Sequence, residues 1–525
     1  MRNKMSEITE QLPEIFNVAA YFLERNLAEE YSKRTAFYYQ GKAYTYTELN
    51  SYVRRAAQFF SNLNLEQENR VAILLPDMPE FIFAFWGAIW LGVVPVPINT
   101  SCTVDDIRYI LKDSRAKVLL TTKEWQEKLT PIQSQFLHDV LLVNGERSFI
   151  SLITEQDKLQ SCAETSKDEA AFWLYTSGST GKPKGVVHAH QSMVVCAEQY
   201  GKTILGLHKD DIAYSVAKMP FAYGLGNTLY MPMAVGAAAV LSDANSIFDI
   251  ISDLQSYRPT VLFGIPSVYA GILNVHEISP LDVSSLRLCV SAAEQLPKSI
   301  WQKWSATYNR EICEGIGTTE FLHIFLSNRI GECKPGCSGR SVAGYDVQIV
   351  DENGSLCPPG KIGNLQVSGE SLMLGYWNRL QQTRQAIYGS TMRTGDKYLR
   401  DADGYFWFMG RKDELFKVNG QWISPLEIED VLHQHPQIFE VAVVPESDNG
   451  EQLTQVVAYI TLKLGQTPES EIEQSIRKFA KQNLPHFKAP KTIHFVEELP
   501  RTSTGKIHRQ LLKKSLSLSG QASIN

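Results

Sequence analysis

The chain has 525 residues, of which 44% are hydrophobic and 21% charged, with a formal net charge of -6. That length exceeds what a single hydrophobic core ordinarily serves, so two or more domains are expected. The composition is that of an ordinary soluble globular protein, and the mild acidity gives no support to nucleic acid as the main partner, so any nucleotide bound here is small.

The first sixteen residues, "MRNKMSEITEQLPEIF", carry acids and lack an apolar h-region, so no secretory signal is expected and a cytoplasmic location follows. Residues 44–63, "YTYTELNSYVRRAAQFFSNL", place apolar side chains at helical spacing, with Thr47 as the expected N-cap. Residues 81–98, "FIFAFWGAIWLGVVPVPI", are long enough to span a membrane by length alone. Gly92, Pro95 and Pro97 interrupt them, and Asp77 and Glu80 sit at their start, so a buried helix of about four turns followed by a core strand is expected instead.

Apolar runs then alternate with helical patterns as far as about residue 400, the signature of α/β architecture. "RVAILL", "KVLLTT", "AAFWLYT", "AAAVLS", "TVLFGIP" and "LRLCVSA" predict buried strands, rich in Val, Ile, Leu and Phe without alternation, as in sheets covered on both faces. Near residue 345 the style changes to short strands and turns at Asn353 with Gly354 and at Asp403 with Gly404, predicting a small β-rich subdomain. From about Ile423 an α+β pattern follows, in which "SPLEIEDVLHQHP" is a helix with Ser424 ahead of Pro425. The eight cysteines contain no CxxC pair, and no histidine cluster accompanies Cys333 and Cys337, so buried reduced thiols are expected rather than zinc or disulfides.

Between two of these runs lies "LYTSGSTGKPKGVVHAH", residues 174–190. It is not a P-loop: only two residues separate Gly178 from Gly181, and Pro183 follows Lys182, where that motif needs a hydroxyl for magnesium. The residue types still suit a polyphosphate, because glycines let backbone N–H groups approach an anion and Ser, Thr and Lys add donors and charge. One such loop alone is as often an ordinary flexible turn.

Five motifs in fixed order decide between these readings: "YTSGSTGKPKG", "FGIPSVYAGIL", "CEGIGTTE", "MRTGDKYLRDADGYFWFMGRKDELFKVNGQWISPLEIE" and "PRTSTGKIHRQLL". Together they cover nearly the whole chain, which resembles the adenylate-forming superfamily of acyl-CoA synthetases, luciferases and peptide-synthetase adenylation domains. The resemblance implies a two-step ligase. A carboxylate attacks the α-phosphorus of ATP to give acyl-AMP and pyrophosphate, and a thiol, usually of coenzyme A, then displaces AMP.

It also implies roles for individual residues. Thr176, Ser177, Gly178, Ser179, Thr180, Gly181 and Lys184 would cradle the β and γ phosphates. Thr319 would contact the α-phosphate, and Glu320 would ligate Mg2+, a hard cation suited to carboxylate and phosphate oxygens. Asp396 would accept the ribose hydroxyls, and Ala292, Ala293 and Glu294 would border adenine at a position where many relatives carry glycine. Lys506 would stabilise charge on the transferring phosphoryl group, and Arg411 would join the catalytic set.

The implied fold is α/β. A large N-terminal domain of layered αβ subdomains plus a β-rich subdomain spans residues 1–410, a hinge at 411–413 includes Asp413, and a small mobile α+β C-terminal domain fills 414–525. Rotation about the hinge would exchange the Lys506 loop for a segment containing Lys417 and Gly420 that lines a pantetheine tunnel. "PFAYGLGN" and "GTTEFLHIFLSN" resemble the benzoate-CoA ligase branch, which implies that Ala222, Tyr223, Gly224, His323 and Ile324 border a flat aryl acid. Cinnamate-like or medium-chain acids stay open as substrates, as does a separate carrier protein's phosphopantetheine as acceptor. Oxygenation of the luciferase type and nucleotide binding without catalysis rank below these.

Overall fold

The computed structural model of the chain describes residues 8–131, 134–176, 182–411, 414–418, 421–447, 454–463, 465–501 and 507–513. The anticipated strands form within one or two residues of the expected bounds, and they sort into layers that the sequence does not specify.

One layer is a four-stranded parallel sheet in the order Val94–Pro97, Arg70–Ile73, Val118–Thr121, Asp139–Leu142. Parallel strands need crossover connections, and helices Pro79–Trp90, Val104–Ser114 and Lys123–Leu129 supply them. The long apolar stretch is therefore helix Pro79–Trp90, with Pro79 in its first turn, followed by the fully buried strand Val94–Pro97. Among the described residues no helix is long and apolar enough to cross a membrane.

Helix Tyr46–Asn62 packs on Pro79–Trp90 and starts two residues earlier than its apolar period predicts. Its cap is Thr45 and not Thr47. The Thr45 hydroxyl accepts the Glu48 N–H, and the Glu48 carboxylate accepts the Thr45 N–H, a reciprocal capping box. Thr47 instead donates its hydroxyl to the Ser32 carbonyl.

The second layer is a nine-stranded sheet whose middle is parallel: Ile312–Gly317, Leu288–Ser291, Val261–Gly264, Ile212–Ser215, Ala238–Leu241 and Thr35–Tyr39. Its antiparallel edges are Ile324–Ser327 with Arg340–Ser341 on one side and Lys42–Thr45 on the other. Strand Ala170–Thr176 departs from the parallel pattern. It pairs antiparallel with Lys184–Ala189, and Gly375–Tyr376 adds a third strand to that hairpin.

The β-rich unit is an antiparallel sheet of Asp346–Val350, Gly363–Ser368, Thr391–Arg400, Ile387–Tyr388 and Phe406–Arg411. Beyond it, the hairpin Phe416–Val418 with Gln421–Ile423 leads into a separate core. There Ile428, Leu432, Ile472 and Ile476 of two helices pack on strands Ile438–Ser447 and Thr454–Leu462. Ser424 stands at the N-cap position of helix Pro425–Leu432, as its place before Pro425 predicts, without a side-chain cap bond. The eight cysteines are free thiols, four of them buried.

Candidate active site

Thr176 and Lys184 face each other in register at the loop end of the hairpin. They are the two feet of the glycine-rich loop, whose residues Ser177, Gly178, Ser179, Thr180 and Gly181 lie outside the described residues, as do Asp413, Gly420 and Lys506. Lys417 is described by its backbone, in strand Phe416–Val418.

From its foot, the Lys184 ammonium lies 4.1 Å from the centroid of the Tyr376 ring. Burial holds its pKa below the ordinary lysine value, Glu320 opposes that shift, and Arg411 adds to it. The Tyr376 hydroxyl donates to Glu320 Oε1 at 2.6 Å, and burial keeps the phenol protonated. Thus Lys184, Tyr376 and Glu320, from three separate segments, form one cluster.

Glu320 and Thr319 lie in the short helical turn Thr319–Phe321, entered from strand Ile312–Gly317. A side chain at Gly317 would overlap the His323 carbonyl, so glycine is needed where the chain doubles back. His188 on the hairpin fixes the turn from below: its Nε2–H donates to the Thr319 carbonyl at 2.7 Å, and burial holds the imidazole at a pKa of about 4, hence neutral.

Asp396 is 4% exposed and pairs with Arg411 Nη1 at 3.1 Å across neighbouring strands. Arg411 thereby links the expected ribose carboxylate to the Lys184 cluster, whose charge it influences. Ala292, Ala293 and Glu294 follow strand Leu288–Ser291. Ala293 adopts φ +74°, a left-handed conformation that costs a Cβ-bearing residue roughly 1–2 kcal/mol and glycine nothing.

The expected acid-binding residues converge. Ile324 and Ala222 are buried, and the Tyr223 ring centroid lies 5.7 Å from that of His323. Gly224 packs against the Ala217 and Lys218 carbonyls so closely that a side chain would overlap them. His323 is 3% exposed, and burial lowers its pKa to about 3, so the ring is neutral. Apart from a weak approach of the Tyr223 backbone to the imidazole, its Nδ1 and Nε2, like the Thr318 hydroxyl, have no hydrogen-bond partner among the described residues. Buried polar groups are ordinarily satisfied, so these atoms are available to a bound molecule.

Three side chains of this neighbourhood escape a sequence reading: Tyr376, His188 and Tyr200, whose ring centroid lies 5.2 Å from that of His323. Nothing in "GYW" or "VHAH" marks them, because their partners lie 56 to 131 residues away. Among the described residues no three His, Cys, Asp or Glu side chains cluster closely enough to hold a metal unaided. Glu320 beside the Lys184 foot is a donor of the kind Mg2+ takes, since that ion commonly binds through one or two carboxylates plus substrate phosphates.

Comparison with known proteins finds relatives along nearly the whole chain. The profile of the AMP-binding enzymes matches residues 23–377, and that of the AMP-binding enzyme C-terminal domain matches residues 427–506. The chain is 38% identical over 511 residues to the 4-hydroxybenzoate--CoA/benzoate--CoA ligase of Rhodopseudomonas palustris, covering 95% of this chain and 94% of that protein. It is 37% identical to the benzoate--CoA ligase of Thauera aromatica, covering 96% and 97%. Among solved structures, the anthranilate CoA ligase AuaEII in complex with anthranoyl-AMP superposes with a TM-score of 0.94 at 35% identity, covering 98% of this chain and 99% of that one.

Proposed function

Because this chain belongs to the AMP-binding enzyme family, we propose that it is an AMP-forming acid:CoA ligase that activates a benzoate-like aryl carboxylic acid. ATP and the acid give acyl-AMP and pyrophosphate, and coenzyme A then takes the acyl group. One observation carries the reading: a single stretch, Gly317 to Ile324, brings the residues assigned to the phosphates next to those assigned to the acid. Its first part sets Thr319 and Glu320 against the hairpin that carries the glycine-rich loop, and its last part sets His323 and Ile324, both buried, beside Tyr223. An acid and a nucleotide bound on either side of that turn would meet there.

The assigned roles follow from where the groups stand. Lys184, with loop residues 177–181, would hold the β and γ phosphates, and Thr319 would hold the α-phosphate. Asp396, steadied by Arg411, would accept the ribose hydroxyls, with Ala292, Ala293 and Glu294 beside adenine. Glu320 would hold Mg2+, which when bound neutralises developing phosphate charge. Ala222, Tyr223, Gly224, His323 and Ile324 would clasp the ring. A neutral His323 can donate one hydrogen bond to the acid without placing a positive charge beside it.

We assign Lys506 to the adenylation step and the segment around Lys417 and Gly420 to the CoA step. In this reading Asp413 is the hinge between a domain of residues 1–410 and one of 414–525. Separate hydrophobic cores on the two sides support the division. The two ligases compared above are named for CoA, which favours CoA over a carrier-protein thiol as the acceptor.

The test is acid-dependent AMP release across benzoates, cinnamates and fatty acids, with and without CoA. Preference for octanoate over benzoate would refute the aryl reading, and release of ADP would refute adenylation. Lys506→Ala should abolish most acyl-AMP formation while sparing thioester formation from supplied acyl-AMP, and Asp413→Pro should do the reverse. Equal loss of both steps in both variants would refute the two-pose division.

A further inference from the structure

Segment 373–377 ties the phosphate hairpin to Glu320 at several points. On the hairpin side, the Leu374 N–H donates to the Val187 carbonyl at 2.9 Å and the Trp377 N–H to the Gly185 carbonyl at 2.8 Å, flanking the pairing of Gly375–Tyr376 with Val186 and Val187. On the other side, the Met373 N–H donates to the Glu320 carbonyl at 2.8 Å. The Tyr376 hydroxyl then takes Glu320 Oε1 at 2.6 Å, while Oε2 has no hydrogen bond among the described residues. The same ring lies against the Lys184 ammonium, so it cannot swing away without uncovering that charge.

We propose that Tyr376 is a positioning residue for the divalent cation: by occupying one oxygen of Glu320 it makes the carboxylate a single-oxygen ligand, which favours Mg2+ over Ca2+. Mg2+ demands octahedral geometry with compact ligands, whereas Ca2+ accepts six to eight and commonly takes both oxygens of a carboxylate. Tyr376 would therefore act through Glu320, and the inference rests on the assignment of Glu320 as the metal ligand.

The test is ATP binding by calorimetry to the full chain in Mg2+ or Ca2+ titrations, using the wild type, Tyr376→Phe, Glu320→Gln and the double variant. The phenylalanine keeps the ring and loses only the hydroxyl. It should raise the Mg2+ concentration needed for half-maximal ATP affinity roughly three- to tenfold, the scale of one ordinary net hydrogen bond. The Ca2+ requirement should change less, so that selectivity falls, with the melting temperature and the KM for benzoate unchanged. In the Glu320→Gln background the same substitution should add nothing.

An unchanged Mg2+ requirement would overturn the proposal. A parallel loss of Mg2+ affinity, acid affinity and melting temperature would overturn it too, since Tyr376 would then be packing. So would an effect that persists without the Glu320 carboxylate. If Glu320→Gln itself leaves the Mg2+ requirement untouched, the metal assignment and this inference fall together, while acid-dependent AMP release would still stand as a measure of the overall reaction.

Discussion

Gly226 sets the position of His323, and Gly226→Ala should damage acid recognition selectively. Gly226 follows helix Ala222–Leu225 with φ -66° and ψ -48°, an ordinary helical conformation that suits alanine better than glycine by up to about 1 kcal/mol. Local propensity therefore favours the substitution. The added Cβ, however, would lie 2.5 Å from His323 Cδ2, 2.7 Å from its Nε2 and 2.7 Å from the Tyr230 hydroxyl.

Comfortable carbon contacts begin near ~3.5 Å, so the imidazole would have to retreat by about 1 Å. Tyr200, Tyr223 and Tyr230 flank it, with ring centroids 5.2, 5.7 and 6.4 Å away, so little of that retreat is free. Overpacking of this kind costs roughly 1–3 kcal/mol, or roughly 5- to 150-fold in kcat/KM if it falls on the bound acid. The assay is benzoate-dependent pyrophosphate exchange, with the KM for ATP as the internal control expected not to move. His323→Ala makes room for the methyl group, so the cost of Gly226→Ala should shrink by about 1 kcal/mol or more in that background. Retained benzoate kcat/KM, or an equal loss with and without the His323 ring, would refute the reasoning.

Three further perturbations test other parts of the account. Ile324→Ala opens the buried wall beside His323 and should raise kcat/KM for 4-substituted benzoates relative to benzoate roughly tenfold or more, measured as a ratio within each variant. Thr45→Ala should cost roughly 0.5–2 kcal/mol, seen as a lower thermal midpoint with the KM values for acid and ATP unchanged, because it removes a cap remote from the chemistry. His190 is buried, accepts the Val18 N–H on Nδ1, and has its pKa depressed by burial from 6.5 to about 4. The unfolded chain then binds the proton first as pH falls, so the stabilisation is whole above about 6.5 and is lost progressively down to about 4. Between pH 7 and pH 5 the wild type should lose about 2 kcal/mol more than His190→Gln, measured as the difference in denaturant midpoints.

The α/β class and the change of style near residue 345 were legible because they rest on local period and turn chemistry. The motif residues were legible as a set because their order along the chain carried the resemblance. Other features depended on contacts that period does not encode. The helix at Tyr46 begins at Thr45 because Glu48 answers its hydroxyl, and a hydrophobic period alone points past that. The strand Ala170–Thr176 is as apolar as its neighbours but turns back on itself, since the loop after Thr176 is too short for a crossover connection. Tyr376 stayed hidden for a similar reason: its meaning comes from Glu320 and Lys184, 56 and about 190 positions away, and from a two-residue strand too short to leave a pattern.

That two-residue strand also bears on how the protein is made. A lone β-hairpin is at best marginally stable, and the edge of this one is closed by residues that leave the ribosome roughly 190 positions after it. Synthesis at about 5–20 residues per second puts roughly ten to forty seconds between the glycine-rich loop and the segment that braces it. During that interval the nascent chain holds an open strand edge and no assembled nucleotide site. Ribosome-bound chains of increasing length should accordingly show no ATP-dependent protease resistance before Trp377 has cleared the exit tunnel, and should gain it in full only when Asp396 and Arg411 have followed.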